Sequence, residues 1–321
     1  MKFQYWFIGA VALGLGGCGG AETASKNASS PEVVSGTVED GEAMIERSDF
    51  AGAEALFRGL AERSPSDPKV FYYLGLSERN LGNFAAAVSA YEKSLALAPD
   101  LMDARINLGL TLLDLGQLDR AEKELKVYLD ASPDDADAQF NYGLVQESMG
   151  HLDEAQSHYE KAAMLDPEDP SPLFGLGDVA RARGKREKAL SYYTDAEKLN
   201  GEMPDLVYVK GETQLEMKRV AEACKTFKNL LLMTQPDLAI VVEAGKRIAD
   251  TDSTCAADLY QGAVEKDDTF ASAHFYLANS LARDKKFTEA AAHFEQFLAL
   301  APNDPAAPEA KKRLEACRNM P

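Results

Sequence analysis

Residues that could do chemistry are few in this chain, and their surroundings decide what each can do. Gly14 to Gly19, GLGGCG, fits the pattern GxGxxG. Such glycines cradle a phosphate when a strand leads into them and a helix begins on them, so that helix N–H groups face the anion. Here an apolar run, MKFQYWFIGAVAL, precedes them and the polar stretch GGAETASKNASSPEVV follows. Neither neighbour suits a nucleotide. His151 and His158 flank Glu154 in HLDEAQSH, with Glu154 and His158 one helical turn apart. Zinc would need a further ligand from elsewhere, and HExxH is absent, so these residues read as a helix surface pair. His274 and His293 fall where helices meet each other or solvent. The acidic run SPDDADAQ, Ser132 to Gln139, lacks the alternating oxygens and the glycine of a calcium loop. Carboxylates ahead of a helix suit capping and the helix dipole. No GxSxG, SxxK or cysteine–histidine pairing stands out. The chain reads as a non-enzyme with no catalytic residue, no metal and no cofactor.

Four cysteines remain: Cys18, Cys224, Cys255 and Cys317, without CxxC or zinc spacing. Cys18 closes a leader. Lys2 supplies a positive start, and Phe3 to Leu15 form an apolar segment too short to span a bilayer, which takes about 20 residues. Leu15-Gly16-Gly17-Cys18 resembles the lipobox of bacterial lipoproteins. That resemblance implies cleavage before Cys18, a diacylglycerol on its thiol and acylation (palmitate, for example) of the new amino terminus. More than one acyl chain gives durable anchoring. Gly19 is not the aspartate that retains such lipoproteins at the inner membrane of enterobacteria, so the resemblance favours the outer membrane, facing the periplasm. An oxidising periplasm permits one disulfide among the other cysteines, and Cys224–Cys255 is the pair to test. The alternative is three small buried hydrophobes.

The formal net charge is −18 and the pI about 4.7. A chain this acidic repels phosphate backbones and anionic lipid, which sets nucleic acid aside as a partner. Contact with a membrane would come through the lipid on Cys18.

Residues 18–33, the lipidated cysteine and a small polar stretch, read as a tether. After it a period of 34 takes over. Glycine recurs at Gly41, Gly75, Gly109, Gly143, Gly177, Gly211 and Gly245. Alanine recurs at Ala53, Ala87, Ala121, Ala155, Ala189 and Ala223, then at Ala256 and Ala290 after one shortened step. A large apolar residue follows each alanine by four: Phe57, Tyr91, Leu125, Tyr159, Tyr193, Phe227, Tyr260 and Phe294. Small residues allow two helices to cross closely, and the large one fills the space beside the crossing. Gly82, Gly116, Gly150 and Gly184 suit positive φ at a helix end. Pro65, Pro99, Pro133, Pro167 and Pro302 stop second helices.

These positions resemble the tetratricopeptide repeat, a helix–turn–helix of 34 residues. The resemblance implies an all-α solenoid of eight repeats over 34–304, in units 34–67, 68–101, 102–135, 136–169, 170–203, 204–237, 238–270 and 271–304. The seventh departs most, with a turn DTDSTC that lacks glycine. Residues 305–321 read as a C-terminal cap with a helix near 308–318, starting at Pro308. In this family the first helix of each repeat lines a concave groove, with its fifth position facing in. Here Tyr72, Ile106, Phe140, Phe174 and Tyr208 hold that position in repeats two to six, and Leu76, Leu110 and Leu144 lie one turn on. Asn107 and Asn141 add amides beside them. The expected site is an apolar groove outside the glycine–aromatic packing set, taking protein or peptide segments. Asp103, Asp137 and Asp205 stand where one variant of the family puts cations to clamp a peptide carboxylate, and they argue against that ligand. The functional expectation is a membrane-anchored periplasmic adaptor in assembly of an envelope complex, of the kind that assists pilus secretins. The alternatives are a recruiter of peptidoglycan-processing enzymes and a structural spacer.

Overall fold

The computed structural model describes residues 36–320. Cys18 and the tether lie outside them. The described chain is all-α, with seventeen helices and no strand among the described residues, and it forms two compact units divided after Leu165. The first holds α1 (Val38–Glu46), α2 (Phe50–Arg63), α3 (Pro68–Asn80), α4 (Phe84–Leu97), α5 (Met102–Asp114), α6 (Leu118–Ala131), α7 (Ala136–Ser148) and α8 (Leu152–Leu165). The second holds α9 (Ser171–Ala182), α10 (Arg186–Leu199), α11 (Pro204–Glu216), α12 (Val220–Asn229), a 3-10 turn (Leu230–Leu232), α13 (Leu238–Ile248), α14 (Ser253–Lys266), α15 (Ala271–Arg283), α16 (Phe287–Leu300) and α17 (Ala307–Arg318). No described helix is long and apolar enough to cross a membrane.

The helix starts follow from their caps. Thr37 and Asp40 form a reciprocal capping box on α1. Asp67, Asp135, Asp237 and Asp252 accept backbone N–H groups at the starts of α3, α7, α13 and α14. Pro68 and Pro204 occupy the first positions of α3 and α11, where a missing N–H costs nothing. The turns inside the helix pairs share one device. Ser48, Gly82, Gly116, Gly150, Gly184, Lys218 and Lys285 all have positive φ, between +61° and +80°. The glycines suit this; the serine and the two lysines do so against their own preference.

Within each pair the glycine of the first helix faces the large residue of the second. A Cβ on Gly143 would lie 2.7 Å from the Tyr159 ring, and one on Gly177 2.2 Å from the Tyr193 ring. Both rings are fully buried. The eighth repeat carries Ala278 at this position, buried against the cluster around Phe294 and Phe297. The α17 helix joins that cluster through Ala307, Ala310, Leu314 and Cys317.

The seventh repeat is the irregular one. Its α13 is eleven residues long, and its turn holds no left-handed residue among those described. A disulfide between Cys224 on α12 and Cys255 on α14 staples the second helices of repeats six and seven, Cα to Cα 6.0 Å. Cys317 is a free, buried thiol.

Candidate protein-binding surface

The fifth-position residues sit on first helices, and their rings turn onto the second helix of the same repeat. Phe140 lies 5.6 Å, centroid to centroid, from Tyr159, Phe174 5.8 Å from Tyr193, and Tyr208 5.9 Å from Phe227. Tyr72 meets Tyr91 at 6.2 Å. In repeats two, four, five and six the aromatic that rests on the glycine rests also on the fifth-position side chain, and the three make one cluster.

Burial follows from this. Tyr72, Leu76, Leu110, Phe140, Asn141, Leu144 and Phe174 are buried, while Ile106, Asn107 and Tyr208 are half-buried. The expectation of an open apolar stripe outside the packing set is thus corrected. The physical reason is volume. The glycine lets the ring approach the first helix closely, and the fifth-position side chain packs against the same ring, removing apolar area from water.

The polar members of the expected set differ. Asn107 donates its amide to the Asp103 carbonyl at 2.8 Å. Asn141 is 1% exposed, and neither its Nδ2 nor its Oδ1 finds a partner among the described residues. A buried amide in that state retains unspent hydrogen-bonding capacity at a cost in stability.

The histidine–glutamate group does not converge. His158 pairs through Nδ1 with Gln139 Oε1 at 2.7 Å, and His151 with Gln146 Oε1 at 2.9 Å. Glu154 stays exposed. In the acidic run, Asp135 caps α7 through the Ala138 N–H and accepts from the Tyr128 hydroxyl, both at 2.9 Å. The grouping that could hold a metal among the described residues is Cys224, Asp252 and Cys255, whose sulfurs are bonded to each other.

The second unit also carries a charged lattice that the sequence reading missed. Glu212 accepts from Arg181 at 3.2 Å and from Arg247 at 2.9 Å. Glu216 accepts from Arg181 at 2.6 Å and from Arg186 at 2.7 Å, and these arginines hold its carboxyl below the usual range against the opposing effect of burial, the largest single influence on it. The Tyr208 hydroxyl lies 3.4 Å from Glu212, and burial pushes the phenol up to about 12. Charges of opposite sign on first helices one repeat apart were the available signal. Chemically, the first-helix faces of each unit, taken by itself, offer ion pairs and amides that can exchange partners with a docked chain.

Family models described as tetratricopeptide repeat match residues 41–101, 80–141 and 251–305. These segments resemble tetratricopeptide repeats. A model described as anaphase-promoting complex, cyclosome, subunit 3 matches 148–230. Among solved structures, yeast Tom70 is similar with a TM-score of 0.61 and 20% identity, over 84% of this chain and 58% of that one. A tetratricopeptide repeat protein from Parabacteroides merdae aligns at 0.53 and 14% identity, over 88% and 97%. TTC0263, a tetratricopeptide repeat protein of Thermus thermophilus, aligns at 0.51 and 22%, over 56% and 98%. At these identities the likeness is one of fold. No curated protein matches the chain significantly in sequence. Tetratricopeptide repeats generally bind other proteins, and the fold is consistent with a scaffold.

Proposed function

We propose that this protein is a lipid-anchored adaptor, facing the periplasm, that binds basic segments of partner proteins and positions them in an envelope complex. One observation carries the binding part. Both units hold repeats in which glycine, ring and fifth-position side chain close the core, which leaves polar first-helix residues such as Asp103 and Asn107 to meet a partner. The charge of −18 favours basic partners and fast, salt-dependent association. Leu15-Gly16-Gly17-Cys18 supports the anchor.

The test is partner capture with the soluble 19–321 segment, crosslinked in periplasm, at low and moderate salt. Salt-sensitive capture of proteins with basic segments, weakened by Asp103→Lys with Asp137→Lys, is the expected result. Capture of nothing would leave a spacer, and turnover of a small molecule would make it an enzyme. Glu122 is unsuitable for charge reversal, because it accepts from the Tyr142 hydroxyl at 3.0 Å and Gln146 at 2.9 Å. For the anchor, Cys18→Ser should release the protein from membranes, and the mature wild-type mass should include the acyl groups. A Cys18→Ser chain that still pellets with membranes would end this part of the reading.

A further inference from the structure

Three repeats tie their two helices together with the same polar clasp. The fourth residue of the repeat reaches back to the carbonyl six residues earlier and across to residue twenty-three. Arg105 donates to the Pro99 carbonyl at 2.8 Å and to Glu124 at 2.5 Å. Gln139 donates through Nε2 to the Pro133 carbonyl at 2.6 Å, while its Oε1 meets His158 Nδ1 at 2.7 Å. In the last repeat both places are histidines. His274 Nε2 lies 2.9 Å from the Asp268 carbonyl, and its Nδ1 lies 2.9 Å from Nδ1 of His293.

The partners fix the protons. A carbonyl only accepts, so His274 carries its hydrogen on Nε2. Its Nδ1 is then bare in the neutral ring and must accept from the Nδ1–H of His293. In the glutamine version His158 is the donor, and a second proton on its free nitrogen leaves the bond in place. In the histidine version a first added proton goes to His293 Nε2 and is tolerated. The next must go to His274 Nδ1, where it sets two N–H groups and two positive rings against each other, 5.1 Å between centroids.

We propose that the His274–His293 pair is a pH-sensitive clasp that holds α15 to α16 at neutral pH and loosens the last repeat, with the α17 helix packed on it, in mild acid. His274 is 4% exposed and His293 half-buried. Burial, and then the neighbouring His274, hold His293 below the usual histidine range, while Glu289 one turn earlier pulls the other way. Several charges of the adjoining helices pair with groups other than the two histidines. On α14, Asp258 pairs with Lys228 and Glu265 with Gln261. On α13, Lys246 pairs with Glu243 and Arg247 with Glu212. On α17, Arg313 pairs with Glu309 and Arg318 with Glu295. The sign follows. Unfolded, each histidine takes a proton near about 6.5; folded, His293 is held lower and the bond leaves room for only one proton on the pair, so the opened repeat binds more protons in acid, and the clasp's contribution is complete above that pH and is lost as pH falls below it.

Hydrogen exchange of the full chain at about pH 7.5 and about pH 5.5, corrected for intrinsic rates, reads the effect by segment. Opening of residues 271–318 should rise by about three- to tenfold in acid, the worth of one net hydrogen bond, and by less in residues 136–165, where glutamine faces His158. His274→Gln gives the last repeat the same arrangement as the fourth and should reduce the rise to the level of residues 136–165. An equal rise in His274→Gln, or none in the wild type, overturns the proposal. Should the variant fail to fold, nitrogen NMR of the wild type decides. His274 must hold its proton on Nε2 and His293 on Nδ1 at about pH 7.5, and any other tautomer pair rejects the clasp.

Discussion

Phe140 shows how a single side chain changes role once its neighbours are known. Its ring is 9% exposed and packs on Tyr159, which is itself pressed against Gly143. Phe140→Ala should therefore cost about 3–5 kcal/mol of stability. A denaturant melt checks this, and a full-stability variant would return Phe140 to the list of open contact residues. Asp178 is the other residue with a measurable signature. It accepts from the Tyr193 hydroxyl at 2.6 Å, and burial pushes its carboxyl up to about 6, against the hydrogen bond from Tyr193 and the charge of Arg181. Between the unfolded value of about 4 and this one, the folded chain holds a proton that the unfolded chain has released. This residue's contribution to folding is thus complete below about 4 and is lost as pH rises through about 6. Asp178→Asn keeps an acceptor for Tyr193, so it should raise the denaturation midpoint at about pH 7.5 and change it little at about pH 4. Equal shifts at both pH values would mean that charge is not the cause.

At the scale of the element, the turn between paired helices is where sequence and conformation disagree most. Lys218 and Lys285 sit at φ +61° and +63°, where repeats two to five have glycine. A side chain in the left-handed region costs about 1–2 kcal/mol, and glycine removes that at a smaller entropic loss. Lys218→Gly or Lys285→Gly should then stabilise by about 0.5–1 kcal/mol, read as a raised midpoint in chemical denaturation. Loss of stability on either change would show that the lysine side chain contributes more than the turn strains. Gly82, Gly116, Gly150 and Gly184 announced their turns in the sequence, because only glycine takes that backbone freely. Ser48, Lys218 and Lys285 gave no such signal, and only the 34-residue spacing points to them. The burial of the fifth-position stripe was hidden for a different reason. An apolar residue repeated on one helix face looks the same whether that face meets solvent in a groove or a ring across the crossing, and the choice depends on how closely the paired helix packs there.

At the scale of the whole molecule, the fold class was legible because each repeated position has a packing task that few residue types can perform. The polar surface was not, since Arg181, Glu212 and Arg247 meet only when consecutive repeats are stacked. Repeat arrays gain stability from each unit and its neighbours, so a local change acts regionally. Reducing Cys224–Cys255 tests this in the second unit. Release of a loop of 31 residues costs roughly 3–4 kcal/mol on the chain-entropy account. Exchange should quicken in α12 to α14 and stay unchanged in α3 to α6. Uniform quickening throughout the chain would mean that the array melts as one body.

The same staple has a topological consequence. It encloses α13 and the irregular turn after it in a closed covalent ring. An open polypeptide can be drawn lengthwise through a narrow pore as a single strand, but a ring must enter as two strands side by side. Any machine that threads this chain, whether a translocation channel or a processive protease, would stall at Cys255 or Cys224 according to the end it pulls. Passage must come before the sulfurs join or wait until a thiol reopens them.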